Sequence, residues 1–133
     1  MIVDTSAIIA ILNGEPDAEL LERAIGRAGR RRLSAASYLE AAIVVDGKRV
    51  AAASRKFDDF VATSGMEIEP VTAAQAEVAR QAYRDFGKGS GHPAQLNFGD
   101  CFAYALAVTT REPLLYKGDA FGHTGIRPAL PGS

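Results

Sequence analysis

At 133 residues, with 47% hydrophobic and 23% charged side chains and a net charge of −1, the chain has the size and balance of one globular domain with its own core. No apolar run approaches a membrane span and no charged-then-apolar leader precedes the first strand, so a cytoplasmic protein without membrane contact is expected. A single cysteine, Cys101, excludes an internal disulfide, and one cysteine with two histidines argues against a structural zinc site.

The chain opens on a short β-type run that stops at a carboxylate, Asp4. Two hydroxyl residues, Thr5 and Ser6, lead into a short apolar helix over 7–13 that ends at Asn13-Gly14. Pro16 then stands where first-turn prolines belong, with Glu15 and Asp17 at the positive end of a second helix striped by Leu20, Leu21, Ala24 and Ile25. Residues 31–34 read as a strand whose Ser34 caps a helix over 35–46, stopped by Gly47. A further helix covers 50–63, with Val50, Ala53, Phe57, Phe60 and Val61 on one side.

Residues 66–71 alternate as a half-buried strand does, and Thr72 caps a long helix carrying Ala76, Ala79, Ala82, Tyr83 and Phe86. Residues 87–93 are a glycine-rich loop, and 98–110 form the most apolar helix, with Ala103 and Ala107 on a small-residue side. A strand at 113–116, a helical turn over 118–121, an edge strand at Ile126-Arg127 and a loose tail over 128–133 complete the chain. Strands separated by helices predict an α/β domain over 1–127, with a largely parallel sheet and helices on both faces.

Four acids stand out by position. Asp4 ends the first strand, Glu40 lies mid-helix on the side shared with Ala36, Ile43 and Val44, Asp100 opens the small-residue helix, and Asp119 follows the last strong strand. Asp4, Asp100 and Asp119 are each also natural helix caps, whereas Glu40 has no such role and otherwise needs a place at the core rim or an arginine partner. Two of the four end parallel strands, so they meet at one edge of the sheet, where gathered like charges repel unless a cation binds. An all-oxygen set without histidine or cysteine suits Mg²⁺ or Mn²⁺. Such an ion activates water and stabilises a leaving oxygen, chemistry that matches phosphodiester hydrolysis. Thr5 and Ser6 either hold a water or phosphate oxygen there or cap the first helix.

Met1-Ile2-Val3-Asp4-Thr5-Ser6-Ala7, Ser37-Tyr38-Leu39-Glu40, the segment Asn97-Phe98-Gly99-Asp100 through Ala105, and Leu114-Leu115-Tyr116-Lys117-Gly118-Asp119-Ala120-Phe121 together resemble the PIN-domain ribonucleases, most closely the VapC-type toxins of toxin–antitoxin modules. The likeness runs from Met1 to about Ile126, with the motifs in the family's order and spacing. It implies a three-layer α/β/α fold with a central parallel sheet of four or five strands. It also implies Mg²⁺- or Mn²⁺-dependent cleavage of RNA, inhibition by a small cognate antitoxin protein, and a homodimer. Asp4, Glu40, Asp100 and Asp119 match the family's catalytic quartet, with Asp4 and Asp100 as metal ligands, and Thr5 and Ser6 match its hydroxyl positions. The chain departs from many relatives at Ala120, where a second acid often follows the fourth, and at Gly125, where an aspartate is common; Asp119 must then serve alone on that side.

Other residues read less sharply. Lys117 steers a substrate phosphate or is an exposed lysine at a strand end. The clusters Arg27, Arg30, Arg31, Arg32 and Lys48, Arg49, Arg55, Lys56 are solvated helix faces or phosphate-holding patches. His92 and His123 read as surface residues, Cys101 and Phe102 as core, and the 87–91 glycine run lacks the first glycine and the preceding strand of a phosphate loop. Apolar surface near 7–25 and 50–61 is available to a dimer or an antitoxin. Two other classes remain: a receiver-type phosphoacceptor built on Asp4, Asp46 and Lys117, which requires 42–46 to be a strand, and a non-catalytic RNA-binding module, which requires aromatic stacking surfaces.

Overall fold

The computed structural model describes residues 1–130. Its elements, in chain order, are β1 (Ile2–Val3), α1 (Thr5–Leu12), α2 (Ala18–Arg27), β2 (Arg32–Ser34), α3 (Ala35–Asp46), α4 (Ala51–Thr63), β3 (Glu67–Glu69), α5 (Ala73–Phe86), α6 (Phe98–Thr110) and β4 (Leu114–Leu115), with a 3-10 turn at Phe121–His123. The strands form one four-stranded parallel sheet in the order β3-β2-β1-β4, with Ile2 opposite both Arg32 and Leu114. Among the described residues no helix is long and apolar enough to cross a membrane.

Parallel neighbours need crossovers, and here helices supply them, so the sheet is covered on both faces. Successive strand residues point to opposite faces. Ile2 and Leu114 therefore enter one core with Ala79, Ala82, Ala103, Leu106 and Ala107 of α5 and α6. Val3, Leu33 and Leu115 enter the other with Ile8, Leu21, Ala41 and Phe57 of α1 to α4. The alanines let α5 and α6 approach closely. Caps start the helices where the sequence places them: Ser34 accepts from the Ala36 N–H at 3.3 Å and Thr72 from the Gln75 N–H at 3.1 Å. The chain steps from β1 to β2 to β3 in one direction and then returns to lay β4 on the other flank of β1. That reversal opens a crevice beyond the carboxyl ends of β1 and β4, the place where open α/β sheets bind ligands.

Two expectations change, and one alternative reading falls. No regular strand forms at 126–127. Instead a single bridge joins Leu114 to Pro128, where the Leu114 N–H donates to Arg127 O and the Ala129 N–H to Leu114 O, both at 2.9 Å. The first part of the expected tail is thus held along β4, with Ala129 and Leu130 packed on the core, and 131–133 lie outside the described residues. Residues 42–46 are helical, the last turn of α3, and Asp46 is an exposed acceptor for Ser54 Oγ at 2.7 Å, which removes the receiver reading.

Three arginines of the first basic cluster, Arg30, Arg31 and Arg32, are structural. Arg30 pairs with Glu67 at 2.6 Å, Arg31 donates to Ser64 O at 2.9 Å, and Arg32 bridges Glu69 at 3.1 Å and Glu112 at 2.5 Å. Glu112 also accepts from the amino terminus of Met1 at 2.6 Å, so one half-buried carboxylate ties the starts of β1 and β2 to the end of α6. We expect Glu112→Gln, which keeps the shape and loses the charge, to lower stability by about 1–2 kcal/mol in urea titration. An unchanged midpoint would mean the network contributes nothing.

Candidate active site

The crevice is a cavity of about 380 Å³, lined by Asp4, Thr5, Ser6, Ile9, Glu15, Glu40, Val44, Asp100 and Lys117. Three of the four singled-out acids therefore meet. Asp4 arrives from the end of β1 and is buried, 3% exposed. Glu40 comes from the middle of α3 and Asp100 from the first turn of α6. Burial pushes the Asp4 carboxyl up to about 7; hydrogen bonds from Ser6 oppose the rise, and the charges of Asp100 and Glu40 add to it. Burial also raises Asp100, helped by Glu40 and opposed by a hydrogen bond from Asn97 and by Lys88.

The structure does not bring Asp119 into that lining. Gly118, at φ 103°, turns the chain after Lys117, and Asp119 sits exposed on the bend. Lys117 lines the cavity, but its ammonium is already engaged by Glu15 and, at 3.2 Å, by Asp17. The two hydroxyls are committed as well. Thr5 Oγ1 donates to Ser37 O at 3.2 Å, which anchors α3 beneath the cavity. Ser6 Oγ donates to Asp4 Oδ2 at 2.6 Å and accepts from the Lys117 N–H at 3.0 Å. Ser6 is thereby a positioning residue: it joins the Asp4 carboxylate to the end of β4. Asp4 also caps α1 through the Ser6 N–H at 3.0 Å, so capping and site roles coincide in one side chain.

At α6 the two roles divide differently. Asn97 is the cap, its Oδ1 accepting from the Asp100 N–H at 2.9 Å, while Asp100 Oδ2 in turn accepts from the Asn97 N–H at 3.0 Å. This reciprocal box fixes the Asp100 carboxylate at the cavity rim. Gly99, between them, lies against Glu40: a Cβ there would stand 2.0 Å from Glu40 Oε2. The sequence offers no role for Gly99 or Asn97 in the cavity and places Glu15 only at a helix end. The available signal was a glycine in the first turn of a helix, where alanine is the better former.

The donors around Asp4 are all carboxylate and hydroxyl oxygens, a set that suits a hard divalent cation. Among the described residues no three acidic, histidine or cysteine side chains already stand in a chelating array. Mg²⁺ needs no such array, because it keeps several waters and takes one or two carboxylates. Cys101 is core, its thiol pushed up to about 11 by burial, and the His92 ring packs edge-on against Phe86 at 4.9 Å.

A parallel sheet with acids from β1, α3 and α6 gathered at its switch point can now be set beside known proteins. The PIN domain family model matches residues 1–126. The chain belongs to the PIN domain family. Ribonuclease VapC28 of Mycobacterium tuberculosis is 59% identical over 130 residues, covering 98% of each chain. Ribonuclease VapC of Mycolicibacterium smegmatis is 48% identical, covering 95% of this chain and 97% of that one. Among solved structures, Mycobacterium tuberculosis VapC20, described as a Sarcin-Ricin loop cleaving toxin, superposes with a TM-score of 0.72 at 16% identity, covering 94% of this chain and 95% of that one. A toxin-antitoxin complex from Klebsiella pneumoniae gives a TM-score of 0.69 at 15% identity, covering 93% and 92%. This PIN domain thus shares its fold with both and most of its sequence length with the first two.

Proposed function

We propose that this PIN domain is the toxin of a toxin–antitoxin module, an endoribonuclease that hydrolyses RNA phosphodiester bonds with Mg²⁺ or Mn²⁺. The observation that carries the reading is the meeting of Asp4, Glu40 and Asp100 in one cavity at the carboxyl end of β1. Asp4 and Asp100 would hold the ion, and Glu40 faces them across the cavity, placed to orient a water or take its proton. When bound, the ion supplies Lewis acidity toward water and the phosphate oxygens. Ser6 keeps Asp4 in place, and the Asn97 box keeps Asp100 in place. Asp119 stands on the exposed bend outside the cavity lining, and Lys117 lines the cavity with its ammonium held in the two ion pairs described above.

The partners follow from the same reading: an RNA substrate, a small antitoxin protein and a second copy of the chain. Residues 7–25 and 50–61, the apolar stretches expected to meet a partner, contribute Ile11, Ile25 and Phe60 to a groove of about 490 Å³, which supports an antitoxin surface there.

The test is cleavage of cellular RNA by the purified chain with Mg²⁺ or Mn²⁺. EDTA is expected to abolish it, and Asp100→Asn to reduce it by at least about a hundredfold. Cleavage that survives EDTA, or an undiminished Asp100→Asn variant, overturns the reading.

A further inference from the structure

Beside the acidic cavity, on the other flank of the start of α6, lies a second cavity of about 560 Å³ between α5 and α6. Its walls include Ala79, Tyr83, Phe98 and Phe102, with Arg80 and Lys88 at the edge. Phe98 is 79% exposed, unusual for an aromatic side chain in a monomer, and it meets Phe102 edge-on at 4.9 Å and 85°. Phe98 precedes Asp100 by two residues, so the aromatic wall and the acidic cavity are adjacent.

The groove is built in advance. The Lys88 N–H donates to Leu96 O at 3.0 Å and the Tyr83 hydroxyl to Lys88 O at 3.1 Å, which fixes the backbone that carries the lysine. Among the described residues Arg80 has no ion-pair partner and Lys88 is met only by the field of the Asp100 carboxylate, whereas Arg30, Arg32 and Lys117 are all held in close ion pairs. Aromatic faces beside cations are the elements with which proteins hold single-stranded nucleic acid: bases stack, and cations meet the phosphates. A strand approaching Asp4, Glu40 and Asp100 is repelled by them and needs positive charge close by.

We infer that the α5–α6 groove binds the unpaired RNA flanking the scissile bond, a base stacking at Phe98 and the backbone held by Arg80 and Lys88. This rests on the nuclease reading above. RNA is favoured over a second copy of the chain because a copy seated here would bury the unpaired Arg80 in an apolar contact, whereas a phosphate neutralises it.

The experiment measures anisotropy of a short fluorescein-labelled single-stranded RNA of mixed sequence, in an Asp4→Asn background so that the RNA stays intact. Phe98→Ala is expected to weaken binding by roughly tenfold and Phe98→Trp to restore it, and Arg80→Ala with Lys88→Ala to flatten the salt dependence. Circular dichroism and light scattering on each variant report fold and mass. Unchanged RNA binding in Phe98→Ala, with Asp100→Asn still inactive, overturns the groove and leaves the nuclease reading standing. A change in mass that alone accounts for the lost binding assigns the face to a copy–copy contact and also overturns the inference. A wild-type chain that neither binds nor cuts RNA removes the nuclease reading itself.

Discussion

Asp4→Asn is expected to melt higher than the wild type at pH 8 without metal, while cleaving no RNA. In the folded chain the Asp4 carboxyl keeps its proton up to about 7, against an ordinary value of 3.8. Between those values the folded state holds more protons than the unfolded one, so stability falls as pH rises through the window and is lowest above it. A difference of that size corresponds to about 4 kcal/mol at full ionisation. Asparagine is neutral and nearly isosteric, and its Oδ1 can accept the Ser6 N–H and hydroxyl bonds that Oδ2 accepts now.

The gain read by thermal unfolding should be roughly 10 °C at pH 8 and should shrink toward pH 5, where the wild-type carboxyl is already protonated. Saturating Mg²⁺ should raise the wild type and leave Asp4→Asn unmoved, because the ion relieves the charge that asparagine has removed. Equal differences at both pH values would break the link between burial, charge and stability on which the site depends.

Gly99→Ala should do the opposite: keep the fold and lose the chemistry. In the first turn of α6 alanine is favoured over glycine by up to about 1 kcal/mol. Its Cβ, however, would fall 2.0 Å from Glu40 Oε2 and 2.6 Å from Glu40 Cδ. The far end of a flexible side chain can yield, so the helix stays and the carboxylate swings away from Asp4 and Asp100. We expect unfolding free energy within about 1 kcal/mol of wild type and cleavage down by roughly a hundredfold. Because both changes act through one carboxylate, Glu40→Gln combined with Gly99→Ala should be little worse than either alone. Full activity in Gly99→Ala would show that Glu40 needs no such cradle.

Most of the element order can be read along the chain because its signals are local. Caps such as Ser34 and Thr72, the alanine periodicity of α5 and α6, and the short β-type runs each depend on residues within a turn or two. The meeting of Asp4 with Asp100 was also legible, since a carboxylate at the end of a parallel strand and another at a helix start are brought together by the topology. Glu40 was visible through its misfit, an acid on an otherwise apolar helix side. The 126–127 pairing was misplaced because backbone bridging at a sheet edge follows β4's register, not any property of Ile126 or Arg127.

Sequence by itself therefore determined the α/β layering, the parallel sheet and three acids of the candidate site, all consequences of local pattern and strand direction. Tertiary structure alone decided how the remaining polar groups are used. It joined Lys117 to Glu15 and Asp17, the Lys117 N–H to Ser6, and the arginines to Glu67, Glu69 and Glu112, left Asp119 on an exposed bend, and set Gly99 beneath Glu40. Those choices depend on which side chains lie within hydrogen-bonding reach across gaps of tens of residues. Polar pairing has no periodicity by which a sequence could announce it.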